Sequence, residues 1–361
     1  MNIRSIALPA LIAGAALLAG ACSNSASGGT AASSPPAAAK PIVSVAADQL
    51  HAPWAITFSG DTVYISEREG TIVRISGGEK VRQTIRLNKP LEVFGEGGFL
   101  GLVAAPDFAV SKTAYAYHTY KEAGKVQNRV VLLRETPAGW QEVKALLEGI
   151  PGGTIHDGGR LAIGPDRHLY VTTGDAGQDR LAQDRGSLAG KILRMTLDGG
   201  VPADNPFPGS YVYSYGHRNS QGIAWDKNGV MYSTEHGPSG NPGGHDELNR
   251  IEAGNNYGWP DIIGDAQKTG MIKPLYHTGN TAIAPSGMAI DAQDNIWIAT
   301  LRGTKLIRYN TPSKQIDTVL EGEGRLRDVA IHKGVVYVIT NNTDGRGQPA
   351  ANDDRLLKLI Q

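Results

Sequence analysis

The sequence predicts an all-β fold, on three observations. Short runs of β-branched and aromatic residues recur from Val43 onward, each bounded by Gly, Asp or Asn, while long amphipathic helical patterns are hard to find. The runs also resemble one another. A strand, a polar turn with Gly and a second strand ending in Arg make up "DTVYISEREGTIVRI" at 61–75. The outline returns in "RHLYVTTGDAG" with "GKILRMTLDG", in "NGVMYSTEHG" with "DELNRIEAG", in "DNIWIATLRGTKLIRY" and in "GVVYVITNNTDGRG" with "RLLKLI"; "TAYAYHTY" with "NRVVLLRE" is a looser copy. Units of roughly 40 to 60 residues with several strands each are the mark of a β-propeller, so six units predict a six-bladed β-propeller. An irregular array of sandwiches, the competing architecture, does not repeat one hairpin at such intervals.

The chain has 361 residues, and its beginning reads as separate from the fold. Arg4 precedes an apolar run, Ile6 to Ala21, too short to span and stay in a bilayer and ending in Ala19-Gly20-Ala21, so residues 1–21 are expected to be a secretory signal. Cys22 follows directly and is the only cysteine, which excludes an internal disulfide and points to lipidation, although the cleavage site also suits plain secretion. Residues 22–41, nearly all Ser, Ala, Gly and Pro, cannot build a core and are expected to form a lipid-anchored flexible tether. Residues 42–361 are then one propeller domain outside the cytoplasm, at the cell envelope. Thirty-five Lys and Arg balance 35 Asp and Glu with no basic stripe, which argues against nucleic acid as a partner.

In a propeller the innermost strands bring their loops to one mouth, where residues far apart in sequence converge. His156 in "HDGGR" sits in a turn that Gly158 and Gly159 tighten, leaving an imidazole free to act as a general base. "SYGHRNSQG" places His217, Arg218 and Asn219 before a strand, Arg302 follows "IWIAT", and Arg325 and Arg327 alternate in "GRLRDV". Four arginines at the tips of three units suit the carboxylate or phosphate groups of a polyanion. In "EHGPSGNPGGHDELN", Asp246 and Glu247 are hard oxygen donors and the Gly237-Pro238 turn can present carbonyls, a set that suits calcium and not structural zinc. "NYGWP" is expected to pack its turn.

Taken together, "HAPWAITF", "GEGGFLGL", "HDGGRLAIGPD", "GHRNSQG", "EHGP", "DELN", "NYGWP", "APSG" and "GRLRDV", in this order, resemble the soluble pyrroloquinoline quinone-dependent glucose and aldose sugar dehydrogenases. The resemblance implies a six-bladed propeller that binds pyrroloquinoline quinone (PQQ) and calcium at the channel mouth and oxidises the C1 hydroxyl of aldoses to lactones, passing electrons to an external acceptor. It implies that His156 is the base, that Arg218 and Asn219 lie beside the quinone with Arg218 stabilising the developing oxyanion, and that Arg302, Arg325 and Arg327 hold cofactor carboxylates. Gly237 and Pro238 would offer carbonyls to the cofactor's calcium, and Asp246 and Glu247 would bind a second, structural one. Glu96 stands at a cofactor position where those enzymes have Gln, which sets a negative charge near an anionic ligand unless Glu96 is protonated or paired. Ile155 replaces an acid that helps orient sugar and histidine, and "NTAIAPSG" lacks their sugar-stacking aromatic, so the substrate is expected to be a broad range of aldoses. Two other functions remain open at this stage: a calcium-dependent lactonase, and a non-catalytic surface propeller that binds glycan or protein.

Overall fold

A computed structural model describes residues 41–240 and 243–360. The expected signal and, Pro41 aside, the tether with Cys22 lie outside the described residues. What is described is almost entirely strand, with one helical turn at Phe108–Ser111 and one 3-10 turn at Asp179–Ala182.

β1 (Ile42–Ala47) is followed by strands in sets of four. The first set is β2 (Pro53–Ser59), β3 (Thr62–Glu67), β4 (Thr71–Ser76) and β5 (Glu79–Arg86); the second is β6 (Phe99–Ala104), β7 (Thr113–Glu122), β8 (Lys125–Thr136) and β9 (Gly139–Pro151). The third is β10 (Leu161–Ile163), β11 (Leu169–Thr173), β12 (Lys191–Met195) and β13 (Val212–Tyr215); the fourth is β14 (Ser220–Trp225), β15 (Met231–Glu235), β16 (Glu247–Ile251) and β17 (Tyr276–His277). The fifth is β18 (Pro285–Ile290), β19 (Asn295–Thr300), β20 (Lys305–Asn310) and β21 (Ile316–Glu321), and the chain ends with β22 (Leu326–His332), β23 (Val335–Thr340) and β24 (Leu356–Ile360).

Within a set, sequence neighbours pair antiparallel; in the last, β1 fills the vacant fourth place against β24. The first two sets merge into one eight-stranded sheet through a short parallel contact of β5 with β9, Ile85 opposite Trp140 and Arg86 opposite Gln141. First strands touch first strands: β2 meets β6, β6 meets β10, β10 meets β14, β14 meets β18, β18 meets β22, and β22 returns to β2. Burial follows this order. β11, β12 and β15 are buried at every residue, while β1 and β21 are largely exposed, as strands flanked by sheet on both sides and strands at an edge should be; β5, which meets β9 only at its far end, alternates. Trp54, Phe99, Tyr117, Trp140 and Leu193 belong to the largest apolar cluster.

All the first strands except β10 share an irregularity that builds the site. Their pairing with the second strand shifts register between Pro53 and Ala55, Phe99 and Leu102, Ser220 and Gly222, Pro285 and Met288, and Leu326 and Asp328. Such bulges free a residue from the ladder and re-aim its side chain. Trp54, Leu100, Gln221 and Arg327, all inside those shifts, line one cleft together.

Closure of the last sheet by β1 gives a stability prediction. β24 contributes Leu357 and Leu359 to the cluster that also holds Trp297 and Val338, and partly buried Val43 packs against it. A chain starting at residue 48 should unfold at a distinctly lower temperature than one starting at residue 41, with faster amide exchange in β22 to β24. Equal melting curves would mean that β1 adds nothing.

Candidate functional site

His156 lies between β9 and β10 with φ of +64°, in the left-handed region. The turn is pressed onto the end of β11: a Cβ on Gly158 would come within 2.6 Å of the Thr173 Cα, and one on Gly174 within 1.9 Å of the His156 carbonyl oxygen. Only glycine allows this approach. It delivers the His156 Nδ1 to 2.7 Å from the Asp175 Oδ1. Asp175 is fixed in turn, Oδ1 accepting the Gly177 N–H at 2.8 Å and Oδ2 the Trp259 indole N–H at 2.8 Å. Because the carboxylate accepts, Nδ1 carries a proton, and in the neutral ring that leaves the lone pair on Nε2. The imidazole is therefore not loose in an open turn; its side chain is only 10% exposed.

Asp175 escaped the sequence reading, although it stands in "TTGDAG" just past a strand end. With Ile155 in place of an acid, the histidine's orientation looked unsupported; Asp175 supports it. Trp259 also differs from expectation. Tyr257 packs inward, stacked on His217 with ring centroids 4.8 Å apart, but Trp259 faces the site and carries the Arg218 guanidinium 5.2 Å above its ring.

The loop before β14 supplies the next groups. Buried His217 is held by the Glu235 carboxylate at 2.9 Å and Ser214 at 2.8 Å, so it buttresses the loop and does not reach the cleft. Glu235 also accepts the Arg218 backbone N–H. The Arg218 guanidinium donates to the His236 carbonyl and the Ser239 hydroxyl, each at 3.3 Å. Asn219 Oδ1 accepts the Gly158 N–H at 3.0 Å, tying this loop to the histidine turn.

Gly237 and Pro238 follow directly. Asp246 shapes their turn: its Oδ1 accepts the Gly237 N–H at 2.8 Å, and its Oδ2 accepts the N–H groups of Ile283 at 2.6 Å and Ala284 at 2.8 Å. Among the described residues the Gly237 carbonyl accepts no hydrogen bond, while that of Pro238 accepts the Gly244 N–H at 3.2 Å. Glu247 bonds instead to Asn249 at 3.0 Å, and burial, with the Glu235 carboxylate across the ladder, pushes its carboxyl up to about 8. The pair Asp246 and Glu247 does not converge, because adjacent residues of an extended segment face opposite ways and Asp246 already serves three main-chain donors. Among the described residues no group of three or more His, Cys, Asp or Glu side chains is placed to hold a metal ion.

The arginines divide. Arg327 donates to Gln221 at 2.9 Å and lies 3.8 Å from Asp344, which Arg325 reaches at 2.9 Å. Burial pushes the Arg327 guanidinium down to about 9; Asp344 opposes this, while Arg325 and Arg160 add to it. Exposed Arg302 lines an adjoining cleft with Arg325 and Arg346. Several buried donors have no protein partner: Nε of Arg218, Arg325 and Arg327, and Nδ2 of Asn219. Orphaned N–H groups are costly, and the acceptor groups of a ligand seated beside them would offset that cost. An aromatic tricarboxylate fits that description.

Glu96 is paired. Its Oε2 accepts the His156 N–H at 2.9 Å and its Oε1 the Arg346 guanidinium at 2.7 Å. Burial pushes this carboxyl up, but those two donors prevail and bring it down to about 2. Arg346 lies in the loop of a repeated hairpin, and its contact with Glu96, 250 positions away, leaves no signal in the sequence.

Several known proteins are similar to this chain. The profile of the family described as Glucose / Sorbosone dehydrogenase matches residues 50–357. Quinoprotein glucose dehydrogenase B of Acinetobacter calcoaceticus is 32% identical over 289 residues, 71% of this chain and 59% of that protein. Aldose sugar dehydrogenase YliI of Escherichia coli is 29% identical over 341 residues, covering 84% and 91% of the two chains. The PQQ-bound aldose sugar dehydrogenase of Streptomyces coelicolor superposes with a TM-score of 0.81 at 39% identity, over 89% of this chain and 99% of that one.

The state of Glu96 predicts a pH effect. A carboxyl at about 2 when folded and near 4.5 when unfolded contributes stability above the unfolded value and loses it as pH falls toward 2. The free-energy difference between the parent chain and Glu96→Gln, on the order of 3 kcal/mol at neutral pH, should therefore shrink between about pH 5 and pH 2 in denaturant titrations. A difference independent of pH would mean that Glu96 is not held ionised.

Proposed function

The chain belongs to the glucose/sorbosone dehydrogenase family, and from that premise we propose that it is a six-bladed β-propeller oxidoreductase using PQQ and calcium to oxidise the C1 hydroxyl of aldoses to lactones. The propeller reading is supported by the first strands, whose mutual contacts run through all the sets and back to β2. One observation carries the functional reading: the His156–Asp175 pair stands in the same loop cluster as the orphaned donors.

PQQ, when bound, supplies a two-electron acceptor. Arg302, Arg325, Arg327 and Asn219 would hold its carboxylates, and the carbonyls of Gly237 and Pro238 would face its calcium. As the C1 hydroxyl oxygen becomes a carbonyl and the C1 hydrogen leaves with an electron pair, the hydroxyl proton passes to His156 Nε2. Asp175 keeps Nδ1–H in place and sits against the positive charge that the ring then carries. Arg218, supported on the Trp259 face, is a preset cation for charge that develops on oxygen. Ile155, exposed beside His156, offers a sugar no hydrogen bond from its side chain, which supports broad aldose use. On sequence grounds we also propose that the protein works outside the cytoplasm, anchored through lipidated Cys22, and delivers electrons to an external acceptor.

Dye reduction by glucose, arabinose or xylose should require both quinone and calcium when added to the apo-protein. Lactone hydrolysis without quinone would make the protein a lactonase, and no turnover with any of these sugars would favour a binding propeller. His156→Ala should lower turnover by about a hundredfold or more with quinone titration little changed. Asp175→Asn should lower turnover on a similar scale and alter its pH profile, because the amide no longer enforces one tautomer; an unchanged profile would remove Asp175 from the mechanism.

A further inference from the structure

We propose that Arg346 is a positioning residue of the cofactor site, the counter-ion that allows the Glu96 carboxylate to face an anionic ligand. This rests on the quinone reading above. Glu96 lines the cleft together with Gln221, Arg327 and Arg346, and it is the carboxylate that takes the His156 backbone N–H. Without a partner it would repel the acceptor-rich ligand proposed for the orphaned donors. Its partner comes from across the seam of the ring: Arg346 lies 250 positions away in sequence, and its guanidinium stands 2.7 Å from the Glu96 Oε1.

The segment 341–347, "NNTDGRG", is built to hold that contact. It joins β23 to β24 and is fastened to buried Asp354, which accepts the Asn342 N–H at 2.5 Å and the Thr343 hydroxyl at 2.5 Å. It is fastened to the arginine strand as well, the Asn341 N–H donating to the Arg325 carbonyl at 2.8 Å and the Arg325 N–H to the Asn342 Oδ1 at 2.8 Å. A Cβ on Gly347 would come within 2.5 Å of the Asn342 carbonyl oxygen, so the segment folds tightly back on itself. The Arg346 N–H then donates to the Asp344 Oδ1 at 2.9 Å. One short segment thus points an acid at Arg325 and Arg327 and a base at Glu96. Arg346 remains 54% exposed, so its guanidinium can be removed without opening the core.

The test is equilibrium titration of the full-length apo-protein with PQQ in the presence of calcium, followed by quinone absorbance, on the parent, R346A, E96Q and the E96Q/R346A double variant. R346A should weaken binding about tenfold or more at low ionic strength, with a smaller loss at high salt. In the E96Q background the same Arg346 substitution should cost no more than about threefold, because the charge it compensates is gone. R346A binding like the parent, or losing as much in the E96Q background as in the parent, would overturn the proposal. Failure of the parent itself to bind PQQ would instead overturn the quinone reading, so the two failures are distinguishable.

Discussion

A loop that leaves a strand end carries main-chain N–H groups that no ladder can satisfy, and in this ring a buried carboxylate answers that need again and again. Asp175 accepts the Gly177 N–H, Glu235 that of Arg218, Asp246 those of Gly237, Ile283 and Ala284, and Asp354 that of Asn342. Asp328, at the bulge beside Arg327, accepts the Ile56 N–H at 2.9 Å. Charge-assisted bonds of this kind are short, directional and stronger than neutral ones, so each one fixes its loop more firmly than turn propensity could. The imidazole and guanidinium groups inherit their positions from those acids. His156 pairs with Asp175, the Arg218 N–H with Glu235, and Arg327 precedes Asp328.

The same device explains which parts of the site were legible in the sequence. The repeated hairpins seen there are the second and third strands of each set, for instance β3 with β4 and β19 with β20. Those strands have sheet on both sides and need uniformly apolar faces. First and fourth strands gave a weaker pattern, because most of the first are interrupted by bulges and the fourth, as in β21, can lie exposed at an edge. Arg327 illustrates the difficulty: strict alternation with Arg325 suggested a simple shared face, whereas the register shift between Leu326 and Asp328 is what turns it into the cleft.

Residue types with a distinctive chemistry and a glycine-marked loop, such as His156 and Arg218, could be recognised one at a time. Their partners could not. Asp175 meets Trp259 across 84 positions, and Glu96 meets Arg346 across 250, and neither contact leaves a local trace. Asp246 shows the converse. A carboxylate beside glycines suggests a metal ligand from sequence, and in the structure its oxygens also serve main-chain donors, one in its own turn and two from the distant residues Ile283 and Ala284. Local pattern identifies candidate donors; only through-space neighbours decide what they donate to.

The charges around the mouth fall into two electrostatic regimes. Arg327, Asn219 and Arg218 are buried and held by Gln221, Gly158 and His236, so a ligand meeting them pays little ordering entropy and little screening by salt. A like-charge neighbour depresses Arg327 further, and a ligand carboxylate relieves that repulsion as it binds. Arg302 and Arg346 are exposed at the rim, where attraction acts over a distance and falls with ionic strength. Retention of the proposed cofactor should therefore follow mainly from the inner set and from the pairing of Arg346 with Glu96, and its capture from Arg302. Asp344 occupies part of the inner guanidinium surface and Glu96 pairs with Arg346 at the rim, so the proposed anionic cofactor would be met by a small set of local cations and not by an overall basic protein.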